Sequence, residues 1–176
     1  MAKRFFYLFR APGRKGTKSC KGTTATEMAL LAPVFFMFLI GITELSLILA
    51  GQQLMENATF NASRIAKTGF VANGQTQTQT VNQIVTNELQ SYGTMFDVSK
   101  ITTTEVAYNN FTSIGQAGKG TNGFGTQKQI VVYTITYPWK LFTPMMGAIL
   151  GTWNAAANGW VFNLTSQIVV QNEPFG

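Results

Sequence analysis

Histidine is absent from this chain of 176 residues, and cysteine occurs once, as Cys20. Zinc sites in proteins are built mainly from these two residue types, and histidine is the most frequent general acid or base in enzymes. Their scarcity argues against zinc chemistry, His-dependent catalysis and stabilising disulfides. The acidic residues are scattered along the sequence, with no evident carboxylate pair. We therefore expect neither an enzyme nor a bound metal or cofactor.

Acidic residues are also few. There are seven in the chain, and none lies in the first 22 residues, which hold seven of the thirteen Lys and Arg. The rest of the chain is nearly neutral. Positive charge ahead of an apolar run keeps that end of a membrane protein in the cytoplasm. We interpret the basic leader as a topology signal and expect no nucleic-acid partner, because no helix-turn-helix or zinc-finger pattern accompanies it.

A long apolar run extends from Met28 to Ala50. At about 1.5 Å per residue it spans roughly 35 Å, enough to cross a hydrocarbon core of about 30 Å. A secretory signal peptide cut near Gly51 is the alternative, but its apolar region is shorter and an amphipathic pattern continues beyond this run. We expect a retained single-pass anchor.

Three residues depart from a plain anchor sequence. Glu27 lies at the cytoplasmic edge, where water could hydrate it. Pro33 removes a helix hydrogen bond and predicts a kink or a loosened turn. Glu44 lies deeper, and three interpretations are open: it reaches the outer headgroups, it is protonated, or it meets a polar partner on another helix. Pro33 and Glu44 are therefore candidate contact residues within the membrane.

The junction between the leader and the anchor predicts proteolytic processing between Gly22 and Thr23. Glu27 is the fifth residue counted from Thr23. Cleavage would leave a free ammonium on Thr23, and a carboxylate one turn along can neutralise it in a low-dielectric bundle, in its own chain or a neighbour's. We therefore predict a processing site at Gly22 and Thr23 and an assembly role for Glu27.

The region after the membrane predicts a small α+β domain. Apolar residues at helical spacing continue the first helix to about Ala72, and a second helix follows, with Thr80 and Gln83 as its capping box. The Gln-Thr repeat just before Val81 is typical of a polar linker. Alternating apolar residues predict three strands. These strands are expected within 98–108, 129–137 and 160–170.

The predicted fold is α+β, a long N-terminal transmembrane helix plus a second helix packed on a small antiparallel sheet. This arrangement resembles the plan of a pilin. The expected divisions are a basic prepilin leader over 1–22, a transmembrane helix over 23–50 and an exported domain over 51–176. A Pro-bounded apolar segment precedes the last strand. It is either a core-capping helix or an interfacial helix that touches the membrane or a partner subunit. The candidate interfacial residues are Trp139, Lys140, Met145 and Met146.

Three short motifs occur near the start of the chain: Lys21-Gly22, Glu27 followed by Met28-Ala29-Leu30-Leu31-Ala32-Pro33, and Gly41-Ile42-Thr43-Glu44. Together they resemble the TadE-like family, minor pilin-like (pseudopilin) subunits of the tight-adherence (Flp) pilus system. The resemblance implies cleavage after Gly22 by a prepilin peptidase. It also implies a bacterial inner-membrane protein with a cytoplasmic N-terminus and a periplasmic domain. Its partners would be other pilin-like subunits and the pilus assembly platform.

A second function is open from the sequence. The chain could be a membrane-tethered periplasmic or surface binding module, an adhesin, whose Asn-, Thr- and Gly-rich loops touch a surface without entering a fibre. Processing at Gly22 separates the two hypotheses, because only the pilin-like subunit requires it.

Overall fold

The computed structural model describes residues 21–174. Nearly all of the predicted leader, residues 1–22, lies outside them. The chain divides into two compact units, the first ending at Phe38 and the second beginning at Leu39. The second unit thus begins inside the segment predicted to span the membrane, because residues of that segment pack against the domain.

The first helix, α1, comprises Lys21–Ala66 and continues through Pro33. Its end was expected near Ala72 but lies six residues earlier. Gly69 supplies the reason: it adopts a left-handed φ of 69°, and its N–H donates to the carbonyl of Ala66 at 3.1 Å. A glycine in this conformation is a common helix terminator. The chain therefore turns before it reaches Ala72, the predicted end of the helix.

The second helix, α2, comprises Gln77–Gln90, so it includes most of the repeat predicted to be a linker. Its capping box is formed by Thr76 and Gln79, not by Thr80 and Gln83. A Thr followed three residues later by a Gln occurs twice here, at Thr76 and Gln79 and again at Thr80 and Gln83. Thr80 is buried instead, and its hydroxyl accepts a hydrogen bond from the N–H of Ala72 at 3.1 Å. Because Thr80 packs inside the domain, the capping box forms at the earlier of the two positions.

Five antiparallel strands form one sheet in the order β2-β1-β3-β5-β4. They are β1 (Thr102–Tyr108), β2 (Thr121–Asn122), β3 (Ile130–Lys140), β4 (Thr152–Asn154) and β5 (Gly159–Gln171). A short helix, α3, comprises Pro144–Leu150, and short 3-10 turns lie at Gly93–Met95, Val98–Lys100 and Phe111–Ser113. The α+β class is confirmed. The two strands that were not expected, β2 and β4, have two and three residues.

The core of the second unit lies between α1, α2 and one face of the sheet. As predicted from alternation, the β3 residues Val131, Tyr133, Ile135 and Tyr137 are buried. The buried face of α1 carries small side chains, Ala58, Ala62 and Ala66 among them. Small residues let a helix backbone approach a neighbouring element closely. The buried residues of α1 beyond Met55 are thus small, whereas most exposed residues of the apolar run are large.

Candidate functional site

The described part of the first unit, residues 21–38, is an apolar stretch of α1 on which no other described residues pack. Between Met28 and Phe38 the large apolar side chains are 50% to 76% exposed. A helix that is apolar on all sides requires an apolar environment. Of the helices in residues 21–174, α1 is the one long and apolar enough to cross a membrane. This finding agrees with the predicted anchor.

The predicted processing and assembly residues lie at the start of α1. Gly22, Thr23 and Glu27 are all exposed, and a methyl group placed on Gly22 would meet no atom within 4 Å. Thr26 donates its hydroxyl hydrogen to the carbonyl of Thr23 at 2.8 Å. Within residues 21–174, Glu27 takes part in no salt bridge. The segment is thus accessible to other proteins, and the roles assigned to Gly22, Thr23 and Glu27 stay predictions.

Glu44 is enclosed by the domain, with only 2% of its surface exposed. Its carboxylate accepts hydrogen bonds from the backbone N–H groups of Phe142 and Thr143 and from the hydroxyl of Thr143. The partner that the sequence left open therefore exists within the same chain, just before α3. Contact between Glu44 and the helix of another subunit stays a prediction. Pro33, the other candidate contact residue in the membrane, is exposed in the first unit.

α3 approaches α1 closely because α1 has a glycine at the contact. Gly41 is buried, and a Cβ at this position would lie 3.0 Å from Met145 Cε and 3.7 Å from Met146 Sδ. Glu44, one turn along α1, then reaches the residues that begin α3. Gly41 and Glu44 together hold α3 on the apolar part of α1. The sequence motif that contains both residues is thus explained by packing within the domain.

Two of the four predicted interfacial residues lie inside the domain. Trp139 is 6% exposed and makes edge contacts with Phe96 and Tyr137, and Met146 is 8% exposed. Met145 is half-buried, while Lys140 is exposed and donates to the carbonyl of Ala157 at 3.2 Å. Trp139 and Met146 therefore serve the core.

Other apolar side chains occupy the surface beside α3. They are Phe142, Ile149 and Trp153, which are 72%, 68% and 55% exposed. Phe142 and Ile149 belong to the Pro-bounded apolar segment recognised in the sequence, but every residue of this segment except Thr and Gly is apolar, so the pattern does not distinguish the face that packs inward. Trp153 was not recognised. The three residues form an exposed apolar surface in the second unit. An interfacial role of α3 stays a prediction.

Two titratable groups whose pKa values are raised by burial lie elsewhere, on facing positions of β1 and β3. Glu105 pairs with Tyr133 across the strands, and burial raises the pKa of each side chain; the charge of Glu105 raises that of Tyr133 further. Within residues 21–174, Glu105 Oε1 and Tyr133 Oη are buried without a hydrogen-bond partner. Beside them is a cavity of about 10 Å³, roughly enough for one water molecule.

No group of three or more metal-ligating residues occurs in the described part of the chain. The site features are therefore an apolar helix, an exposed carboxylate near its start and an apolar surface beside α3.

Residues 22–64 match the TadE-like protein family. This match confirms the resemblance seen in the sequence and covers nearly all of α1. No curated protein and no solved structure matches the chain. The TadE-like segment thus contains the predicted processing site, Glu27, Pro33 and Glu44.

Proposed function

We propose that this protein is a membrane-anchored pilin-like subunit that a prepilin peptidase cuts between Gly22 and Thr23. The processed chain takes part, as a minor component, in the assembly of a tight-adherence (Flp, type IVc) pilus. The observation that carries the proposal is the coincidence of the TadE-like segment with a long helix whose first part is apolar and exposed on all sides. Such a helix suits both lateral packing against other pilin-like helices and storage in a membrane before assembly.

The topology follows from charge and apolar length. The basic leader favours a cytoplasmic N-terminus at the bacterial inner membrane, and the α+β domain is then periplasmic. The partners are the prepilin peptidase, other pilin-like subunits and the assembly platform. The domain supplies contacts between subunits outside the membrane.

The decisive measurement is the N-terminal sequence and intact mass of the protein recovered from membranes of its native host. A chain that begins at Thr23 supports the proposal. A chain that begins at Met1 or Ala2 contradicts it and favours the tethered binding module. Cleavage near Gly51 would also contradict it, since α1 would then be divided and the apolar run would be only a signal peptide.

Glu27 provides the second test. Glu27→Ala should leave membrane insertion intact and prevent assembly, because the ammonium of Thr23 would lose its counter-charge in an apolar bundle. Glu56→Ala is the matched control, since Glu56 is an exposed acid of the same helix whose carboxylate accepts a hydrogen bond from Gln52 at 3.1 Å. Normal co-purification of the Glu27→Ala protein with pilus components would rule out the role of Glu27.

The tethered adhesin remains the second candidate because of one structural feature. The connection between β1 and β3 is long, includes β2 and carries Phe111, which is 64% exposed. A protruding aromatic side chain on a loop is a common binding element. An adhesin would keep its surface-binding activity without cleavage at Gly22 and without other pilus proteins.

A further inference from the structure

The membrane segment and the folded domain share residues. The apolar run extends from Met28 to Ala50, yet Gly41, Glu44 and Ile48 are buried by the second unit. About 20 residues of helix are needed to cross the hydrocarbon core. A helix that begins its crossing near Met28 is therefore still within the apolar layer where α3 packs against it.

The surface of the domain around α3 has the composition of a lipid-facing surface. Phe142, Ile149 and Trp153 are 72%, 68% and 55% exposed, and the chain has no charged residue between Lys140 and Glu173. The outward side of α1 in the same unit is also apolar, with Ile42 61% and Leu49 62% exposed. Apolar patches of this kind on a protein surface mark contacts with a partner or a membrane.

We propose that the end of the domain formed by α3 and β4 is inserted in the outer leaflet of the bilayer that α1 crosses. The occupant of this apolar surface is the acyl-chain region of membrane phospholipid. Continuity with the apolar run favours lipid over a protein partner, because α3 packs directly on the helix that contains this run.

The positions of charges define the depth of insertion. Lys140 and Lys100 line one groove next to the β4–β5 turn. Lys100 forms a salt bridge with Asp97 at 2.9 Å, whereas Lys140 forms none in the described residues. The Lys140 ammonium suits the phosphate level, and Trp153 suits the boundary between headgroups and chains, where Trp is enriched.

Insertion also accounts for the environment of Glu44. An unpaired carboxylate facing acyl chains is strongly unfavourable, and polar groups in this layer need partners inside the protein. Both oxygens of Glu44 accept hydrogen bonds from Phe142 or Thr143, and the domain covers the side chain. α3 thus shields the polar residue of the span from lipid while presenting its own apolar side chains outward.

The test uses the full chain with Cys20→Ser, reconstituted in vesicles of phosphatidylethanolamine and phosphatidylglycerol. Phe142→Cys is compared with Phe111→Cys, because the two phenylalanines have similar exposure, 72% and 64%. Phe111 follows the end of β1 that pairs with Ile130, at the opposite end of β3 from Lys140. The readout is the rate of labelling by a water-soluble maleimide, normalised to the denatured protein.

Lipid insertion predicts that Phe142→Cys reacts at least about tenfold more slowly than Phe111→Cys, because maleimide of this kind does not enter the acyl layer. Ile149→Cys and Val169→Cys form a second pair if the first disturbs folding, since Val169 is an exposed apolar residue of β5. Phospholipids with brominated acyl chains should quench the fluorescence of Trp153. The contribution of Trp153 is the part of the emission that disappears in Trp153→Phe. Equal labelling rates within each pair, or no quenching of Trp153, would overturn the proposal. These readouts require neither cleavage at Gly22 nor a pilus, so they are independent of the proposed function.

Discussion

Glu44 and Thr143 are 99 positions apart in the chain and in direct contact in the fold. The backbone N–H of Thr143 donates to Glu44 Oε2 at 3.2 Å, and its hydroxyl donates to the same oxygen. The other oxygen, Oε1, accepts from the N–H of Phe142. Thr143 also caps α3, its Oγ1 accepting from the N–H of Met146 at 3.3 Å. One carboxylate therefore fixes the position of α3 on α1.

Glu44→Ala should destabilise the domain, because the N–H groups of Phe142 and Thr143 would lose their buried acceptor. Each buried donor left unsatisfied costs about 1–3 kcal/mol. We expect a lower free energy of unfolding in detergent micelles and faster hydrogen exchange at these two amides. Glu56→Ala is the control, since Glu56 is exposed. An unchanged exchange rate at Thr143 would show that Glu44 does not hold α3.

The position of Glu44 in an apolar run could be recognised from sequence, but its partner could not. Hydropathy marks a carboxylate in a span as unusual, whereas its contact with Thr143 depends on how the chain after β3 returns to the part of α1 that contains Glu44. The same limit applies to Trp139, for which the sequence left a core position and an interfacial position open. Alternation on β3 assigns it to the same face as Tyr137, and that face is the core.

Gly147→Ala should destabilise the domain more than Gly41→Ala. A Cβ at position 147 would overlap the indole of Trp160, lying 2.8 Å from Trp160 Cβ, whereas at position 41 it would lie 3.0 Å from the flexible end of Met145. Overpacking against a ring costs about 1–3 kcal/mol. In Gly41→Ala, the better helix propensity of Ala, worth about 1 kcal/mol, offsets a small adjustment.

Thermal unfolding of the two glycine variants in the same micelles measures this difference. Both substitutions add one methyl group to a helix, so each serves as the control for the other. A larger loss for Gly41→Ala would mean that α1 and α3 approach more closely than the contact between Gly41 and Met145 indicates.

Two tyrosines on β3 differ in one hydrogen bond. Tyr137 Oη accepts from the N–H of Asp97 at 3.1 Å, whereas Tyr133 Oη is buried without a partner in the described residues. Tyr137→Phe should lower the free energy of unfolding by about 1–3 kcal/mol, since the Asp97 N–H loses its acceptor. Tyr133→Phe should be neutral or stabilising, because it removes an unpartnered hydroxyl.

Chemical denaturation of the two tyrosine variants tests the hydrogen-bond assignment directly, because the substitutions are identical and the residues share one face of one strand. Equal losses would indicate that Tyr133 Oη has a partner, such as a water in the adjoining cavity. The pattern of alternation predicted the burial of both residues. It could not distinguish the surroundings of their hydroxyl groups, since these include Asp97 and Glu105 from other parts of the chain.

Glu105 should make the stability of the domain depend on pH. Burial raises its pKa in the folded state, so the unfolded chain loses this proton at a lower pH than the folded chain does. The free energy of unfolding must then fall as pH rises from the usual glutamate pKa, about 4.3, to the raised value, and this loss persists at higher pH. Glu105→Gln removes this titration. The difference in free energy of unfolding in favour of the variant should therefore be smallest in acid and grow through this window. Denaturation curves for both proteins across a pH series provide the measurement. Curves that stay parallel from acid to neutral pH would show that Glu105 has the same proton affinity in the folded and unfolded chain.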